Sequence, residues 1–393
     1  MAAKRIYMDH TAGKPVDPRV VEAMVPSMTE LYGNPSSIHM LGQEAKQAIE
    51  KARAKVAILV NAERKESIFF TSCATESNNM AIKGFANRNK DRGTHIITSS
   101  IEHMSVMNPV KYLSTHGYKT SFIPVDQYGT INMEVLEKEI TPETILVSIM
   151  YANGEVGTMQ PIKEISQTVH AKEAALHVDA TVAVGQVPID VQAEGIDLLT
   201  ISSNDLYGPK GTGALYIKQG TRLEPIIHGG GQEQGLRSGT ENLPNIVGFG
   251  KAAEIAKAEM QTESERLAKL RDGFIKGLVG AVPYSFLNGH PTARLPNNVA
   301  VRYSFIEGES MLLSLDMLGV AASSGSACTA KTLEPSHVLI AIGLKHEEAH
   351  GSLLFTLGRQ NTEEEADYVI RVMPDIVKRL RKMSPLTPKE LRE

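Results

Sequence analysis

Six short apolar runs lie between residues 68 and 201, each separated from the next by a stretch with helical spacing. They are Ile68–Thr71, His95–Thr98, Thr120–Val125, Thr144–Met150, Ala175–Val178 and Leu198–Ile201. Runs this short, rich in Ile, Val, Leu, Phe or Thr, read as strands buried on both faces, and helical crossovers between them make the strands parallel. Residues 211–217 add a further strand. Ala45, Ala48, Ala52, Val56 and Leu59 recur at helical spacing and predict an amphipathic helix over 40–60. The expectation is one large α/β unit with a mainly parallel sheet, reaching to about residue 255. Beyond it the pattern changes to a long helix through Ala252–Leu278, a strand at Asn297–Tyr303, a helix at Glu309–Leu318, a strand at Gly351–Leu357 and a helix at Thr362–Lys382. These form a smaller α+β unit. The division expected is a large domain over 16–255, and a small one built from 1–15 with 256–393 that carries the loop around Cys328.

The formal net charge of −4 offers no basic field for nucleic acid. No apolar run approaches the roughly 20 residues that a membrane span needs. The segment Met1–Asp9 lacks the apolar core of a signal peptide. Two cysteines, Cys73 and Cys328, cannot build a disulfide framework. A cytoplasmic protein in a reducing compartment, binding neither membrane nor nucleic acid, is expected.

Three segments could carry chemistry. Residues 70–79 read as a strand, a tight turn and a helix start, where backbone N–H groups and the Thr75 hydroxyl could cup an anion. An ordinary capped helix has the same pattern. The glycine-rich stretch 229–240 permits close approach to a ligand or another subunit, and equally suits a surface loop. Cys328 sits among small and hydroxyl residues in 323–329, whereas a structural cysteine normally has apolar neighbours. That favours a reactive or ligating thiol.

Longer motifs then connect these segments. Gly33-Asn-Pro-Ser-Ser, Thr75-Glu-Ser-Asn-Asn, Glu102-His103, His177-Val-Asp-Ala, Tyr207-Gly-Pro-Lys-Gly, Arg237-Ser-Gly-Thr and Ser323-Ser-Gly-Ser-Ala-Cys run the length of the chain. With them the chain resembles the NifS/IscS class of cysteine desulfurases, which have the α/β fold of type I enzymes dependent on pyridoxal phosphate (PLP), the fold of aspartate aminotransferase. The resemblance implies that the PLP phosphate rests on the helix start carrying Thr75, on Ser202, and on Thr240 from a second subunit, hence a homodimer. It implies that His103 stacks on the ring, that Asp179 pairs with the ring nitrogen, and that Asn153 is kept at the cofactor.

The chain departs from the family where the reaction occurs. The Schiff-base lysine position holds Asp205, and a carboxylate cannot replace an amine nucleophile. Its histidine neighbour is Asn204. An expected glutamine is Val182, an expected asparagine is Gly154, an expected glycine is Cys73, and Gly13-Lys14 replaces Thr-Thr. The arginine that would bind the substrate carboxylate is Leu354, which offers that group nothing. Lys14 could supply a cation, although pairing with Asp205 is the simpler expectation.

The resemblance therefore implies an IscS-like protein of iron–sulfur cluster assembly whose desulfurase activity is lost or severely impaired. Cys328 would carry persulfide sulfur from a separate donor, or ligate a nascent 2Fe-2S cluster as its shared metal ligand, with an IscU-type scaffold as partner. Two alternatives stand beside this: an active desulfurase using non-covalent PLP, and a regulatory partner of an intact desulfurase.

Overall fold

The computed structural model describes residues 5–324 and 335–392. Its centre is a seven-stranded sheet in the order Ile68–Thr71, Gly213–Ile217, Leu198–Ser202, Ala175–Asp179, Thr144–Met150, His95–Ser99 and Lys119–Ile123. Only Gly213–Ile217 runs antiparallel to its neighbours. Each of the six runs forms a strand. Thr144–Met150 and Leu198–Ser202 are buried at every position, which is why they read as unbroken apolar runs. Lys119–Ile123 is one of the two edge strands, and four of its five residues retain some exposure.

The fold is thus α/β with a mostly parallel sheet, and helices supply the crossovers. The long helix is Leu243–Ala281, longer than its apolar pattern suggested. It begins at Asn242, whose side chain accepts from the Asn245 N–H, and Pro244 occupies its first turn. Leu243, Ile246, Phe249 and Ala253 bury its first half in the core of the seven-stranded sheet. Leu267, Leu270, Phe274 and Leu278 bury its second half in another core, with Met8, Val299, Phe355 and Val369.

Around that second core lie an antiparallel sheet ordered Ser352–Thr356, Asn298–Tyr303, Ser285–Leu287, and a parallel pair of Ile6–Tyr7 with Val320–Ala321. Ser285–Leu287 and the two-residue strands were absent from the sequence reading, because runs so short have no readable period. Past Tyr7 the chain bridges Asp9 to Thr356. The N-terminal turn, and with it Lys14, is thereby brought against the ends of the large sheet.

Candidate active site

In an open parallel sheet the crevice lies beyond the carboxyl ends of the strands. Here Thr144–Met150 runs into the turn holding Asn153, and Ala175–Asp179 ends on Asp179. Leu198–Ser202 ends on Ser202 and continues into the turn Asn204–Leu206, while Ile68–Thr71 leads through Cys73 into helix Ala74–Asn79. These ends surround a cavity of about 500 Å³. Thr75, His103, Asn153, Asp179, Ser202 and Asp205 all line it, as do Val182, Gly154 and Leu354. Thr240 is exposed and does not line it. Cys328 lies outside the described residues; Ser323 and Ser336, which flank 325–334 at short distance along the chain, both line the cavity.

A chain of hydrogen bonds fixes the back wall. Asn78 Nδ2 donates to Asp179 Oδ2 at 2.7 Å and to Ser105 Oγ at 2.8 Å. The Ser105 hydroxyl is left to donate to His103 Nδ1, 2.7 Å away, so the neutral imidazole carries its proton on Nε2. The other Asp179 oxygen accepts from the Thr181 N–H at 3.0 Å. Asn153 spends its amide on the protein. Its Nδ2 donates to the Ile101 carbonyl at 3.0 Å, and its Oδ1 accepts the N–H groups of Glu155 and Val156 at 2.8 and 2.9 Å. It shapes the turn that brings Gly154 and Glu155 to the cavity. Two of the departures meet there, since a Cβ on Gly154 would lie 3.4 Å from Val182 Cγ1.

Asp205 is buried, and burial pushes its carboxyl up to about 6; the Lys14 charge and a Ser202 hydrogen bond pull the other way, and Asp179 pushes further up. Lys14 is buried too, and burial holds its ammonium below the usual lysine range. The ammonium donates to the backbone carbonyl of Asp205 at 2.7 Å and lies 5.1 Å from the centre of the Tyr207 ring. It forms no ion pair with the Asp205 carboxylate among the described residues, and it does not line the cavity. The expected pairing of Lys14 with Asp205 is therefore made through the main chain. Lys210 also stays outside the cavity and donates to the Lys14 carbonyl at 3.1 Å.

Five carboxyl side chains line the cavity: Asp9, Glu102, Glu155, Asp179 and Asp205. No lysine or arginine stands among its described lining residues. Burial pushes Glu102 up to about 8 and Glu155 up to about 7. One Glu102 oxygen accepts from Ser99 Oγ at 2.6 Å and from the Met150 N–H at 2.9 Å; the other has no partner among the described residues. Glu155 meets the Ser336 hydroxyl, and His337 Nε2 lies 2.9 Å from the Glu102 carbonyl. Leu354 is buried mid-strand, exchanging backbone hydrogen bonds with Ser323 at 2.7 and 3.0 Å. Roles for Asp9, Asn78, Glu102, Glu155 and His337 were not read from the sequence. Asn78 and Glu102 lie inside the motifs Thr75-Glu-Ser-Asn-Asn and Glu102-His103, but only the tertiary contacts reveal which way they face.

Comparison with known proteins gives one consistent result. The family described as aminotransferase class-V matches residues 6–369. The cysteine desulfurase IscS 1 of Archaeoglobus fulgidus is 60% identical over 380 residues, covering 97% of this chain and 99% of that protein. The cysteine desulfurase IscS of Methanosarcina thermophila is 53% identical over 389 residues, covering 99% and 96%. Among solved structures, a NifS-like protein of 39% identity superposes with a TM-score of 0.90, covering 96% of this chain and 100% of its own.

Proposed function

Because the chain belongs to the IscS/NifS cysteine desulfurases of the class-V aminotransferase family, we propose that it serves iron–sulfur cluster assembly without the family's covalent route to sulfur. The observation that carries this reading is the cavity lining, which holds five carboxyl groups and, among its described residues, no lysine or arginine. The family uses PLP, which when bound supplies an electron sink. Part of the lining fits that group. Thr75 and Ser202 suit the phosphate, Asp179, anchored by Asn78 and Thr181, suits the ring nitrogen, and His103 suits the ring face. The remainder does not fit: Asp205 offers no amine for a covalent link, and Leu354 offers no clamp for a substrate carboxylate. Any PLP bound here is therefore held non-covalently.

What the chain's own residues do is hold and position. The Asn78–Ser105–His103 relay keeps the imidazole in one tautomer facing the cavity. Cys328, on the segment between two lining serines, either carries persulfide sulfur received from a separate donor or ligates a 2Fe-2S cluster forming on an IscU-type scaffold. Thr240, exposed and outside its own cavity, completes the site of a second copy in a homodimer. The setting is cytoplasmic; no described helix is long and apolar enough to cross a membrane. The large domain over 16–255 and the small one over 1–15 and 256–393 carry the two halves of the site.

The test uses the whole chain. Incubation with PLP and borohydride should leave no pyridoxyl adduct by intact mass, and cysteine with added PLP should release no sulfide above a protein-free blank. Sulfide release above that blank would instead support the working desulfurase suggested by the relatives' names. Asp205→Lys with Leu354→Arg should gain both the adduct and the release. Cluster formation on a scaffold should fall with Cys328→Ser; an unchanged rate with free sulfide supplied sinks the cluster-ligating role, and an unchanged rate with a persulfide donor supplied instead sinks the sulfur-carrying role.

A further inference from the structure

Asp205 does more than remove an amine. It places a buried carboxylate, only 7% exposed, on the wall of a cavity whose described lining supplies no lysine or arginine to neutralise it. Its one close lysine, Lys14, spends its ammonium on the Asp205 backbone carbonyl. Glu102 also lines the cavity, but burial holds its carboxyl at about 8 and so neutral near pH 7, which leaves Asp205 as the group whose charge is uncompensated. A buried charge without a counter-ion is costly, so such a wall favours a ligand that brings its own cation. It equally disfavours a ligand whose reactive group needs a lysine.

We infer that the cavity selects the amine form of the cofactor, pyridoxamine phosphate, over the aldehyde form, with Asp205 as the counter-ion of the aminomethyl group. The inference deepens the non-covalent cofactor reading above and rests on it. The chain's topology supports the assignment. Asp179 and Ser202 end adjacent parallel strands whose register pairs Asp179 with Thr200, and Asp205 lies in the turn immediately after Ser202. The carboxyl ends of these strands therefore offer a carboxylate for a protonated ring nitrogen and, in Asp205, a second carboxylate for an ammonium, with the Ser202 hydroxyl hydrogen-bonded to Asp205. The amine form carries both cations, the protonated ring nitrogen and the ammonium, beside its phosphate and ring phenolate. The aldehyde form lacks the second cation, and its usual anchor has become an anion. Leu354 works in the same direction, since the described lining keeps no arginine to attract a free carboxylate into the space beside the ring.

The experiment is a binding comparison with the full chain, stripped of any bound cofactor and read by melting temperature and fluorescence titration. The probes are pyridoxamine phosphate, pyridoxal phosphate and pyridoxine phosphate, which share ring and phosphate and differ at one substituent. The amine should bind tightest, by about ten- to a hundredfold over the hydroxyl compound, the worth of one charge-assisted hydrogen bond. Asp205→Asn should level the three, and Asp205→Lys should reverse the order and let borohydride trap the aldehyde. Aldehyde binding equal to or tighter than the amine in the unaltered chain overturns the inference and leaves the cofactor cradle standing. Absence of binding by all three overturns the cradle as well. The ranking in the unaltered chain decides the matter even if a variant fails to fold.

Discussion

Glu102 shows how one position can be informative only in its surroundings. In sequence it is an acidic residue beside a histidine, whereas in the fold it is fully buried, with one oxygen accepting two hydrogen bonds and the other none among the described residues. Burial raises its carboxyl from 4.5 to about 8, so near neutrality the folded protein keeps a proton that the unfolded chain has shed. The sign follows. Below about pH 4 both states are protonated and no cost exists; the cost grows as pH rises and is complete above about 8. Glu102→Gln keeps the accepting oxygen and never ionises. It should stabilise the protein at pH 8 by an amount on the order of a few kcal/mol, and the gain should vanish near pH 4. Urea unfolding of both proteins at the two pH values measures this; an equal gain at both rules out titration as its cause.

At the scale of elements, helix Leu243–Ala281 joins the two main cores, and its glycines mark how closely it is packed. A Cβ on Gly250 would lie 2.5 Å from Cα of Ala52, in the helix Met40–Leu59 that runs against it. Neither backbone can yield cheaply. Gly250→Ala should therefore cost about 1–3 kcal/mol from overpacking, less the roughly 0.5–1 kcal/mol that alanine gains in a helix interior. Gly273, in the same helix, has nothing within 4 Å of a built Cβ, so Gly273→Ala should stabilise by about 0.5–1 kcal/mol. Thermal unfolding of the pair separates packing from propensity, because the two substitutions are chemically the same.

At the scale of the whole molecule, the loop carrying Thr240 is held by a contact that no local rule provides. Arg53, in helix Met40–Leu59, forms two hydrogen bonds of 2.7 Å to Glu233, which also accepts the Phe70 N–H of the edge strand at 2.8 Å. Arg53 reaches the Ile68 carbonyl as well, at 2.6 Å. Both partners are buried, and the pairing holds Glu233 and Gln234 in left-handed backbone with φ of 46° and 56°. Glu233→Ala would leave the buried Arg53 guanidinium with Glu50, 3.0 Å from its Nε, as its remaining carboxylate, and should cost about 3 kcal/mol, the low end for breaking a buried pair. If the loop completes a second copy's site, the same variant should weaken the dimer, seen by sedimentation at falling concentration. Loss of stability with an unchanged dimer would confine the loop to a structural role.

Much of this protein is legible in its residues. The parallel sheet follows from the unbroken apolar runs of strands such as Thr144–Met150, covered on both faces by crossover helices. Asp179, Ser202 and Asp205 are candidates because the family resemblance implies roles at those motif positions, and the fold places all three on the cavity lining. Even the loss of the reactive amine is a one-letter fact. What the linear pattern leaves open is direction and company. Lys14 and Asp205 are far apart in sequence, and nothing local says that the lysine will give its ammonium to a main-chain carbonyl and turn away from the cavity. The convergence of Asp9, Glu102 and Glu155 with Asp179 and Asp205 on one wall, without a lysine or arginine in its described lining, is likewise a tertiary outcome. Apolar periodicity is a local constraint that each segment satisfies alone, so it survives in the sequence. The balance of charge inside a cavity depends on side chains from several strands and turns, and only packing decides which of them face one another.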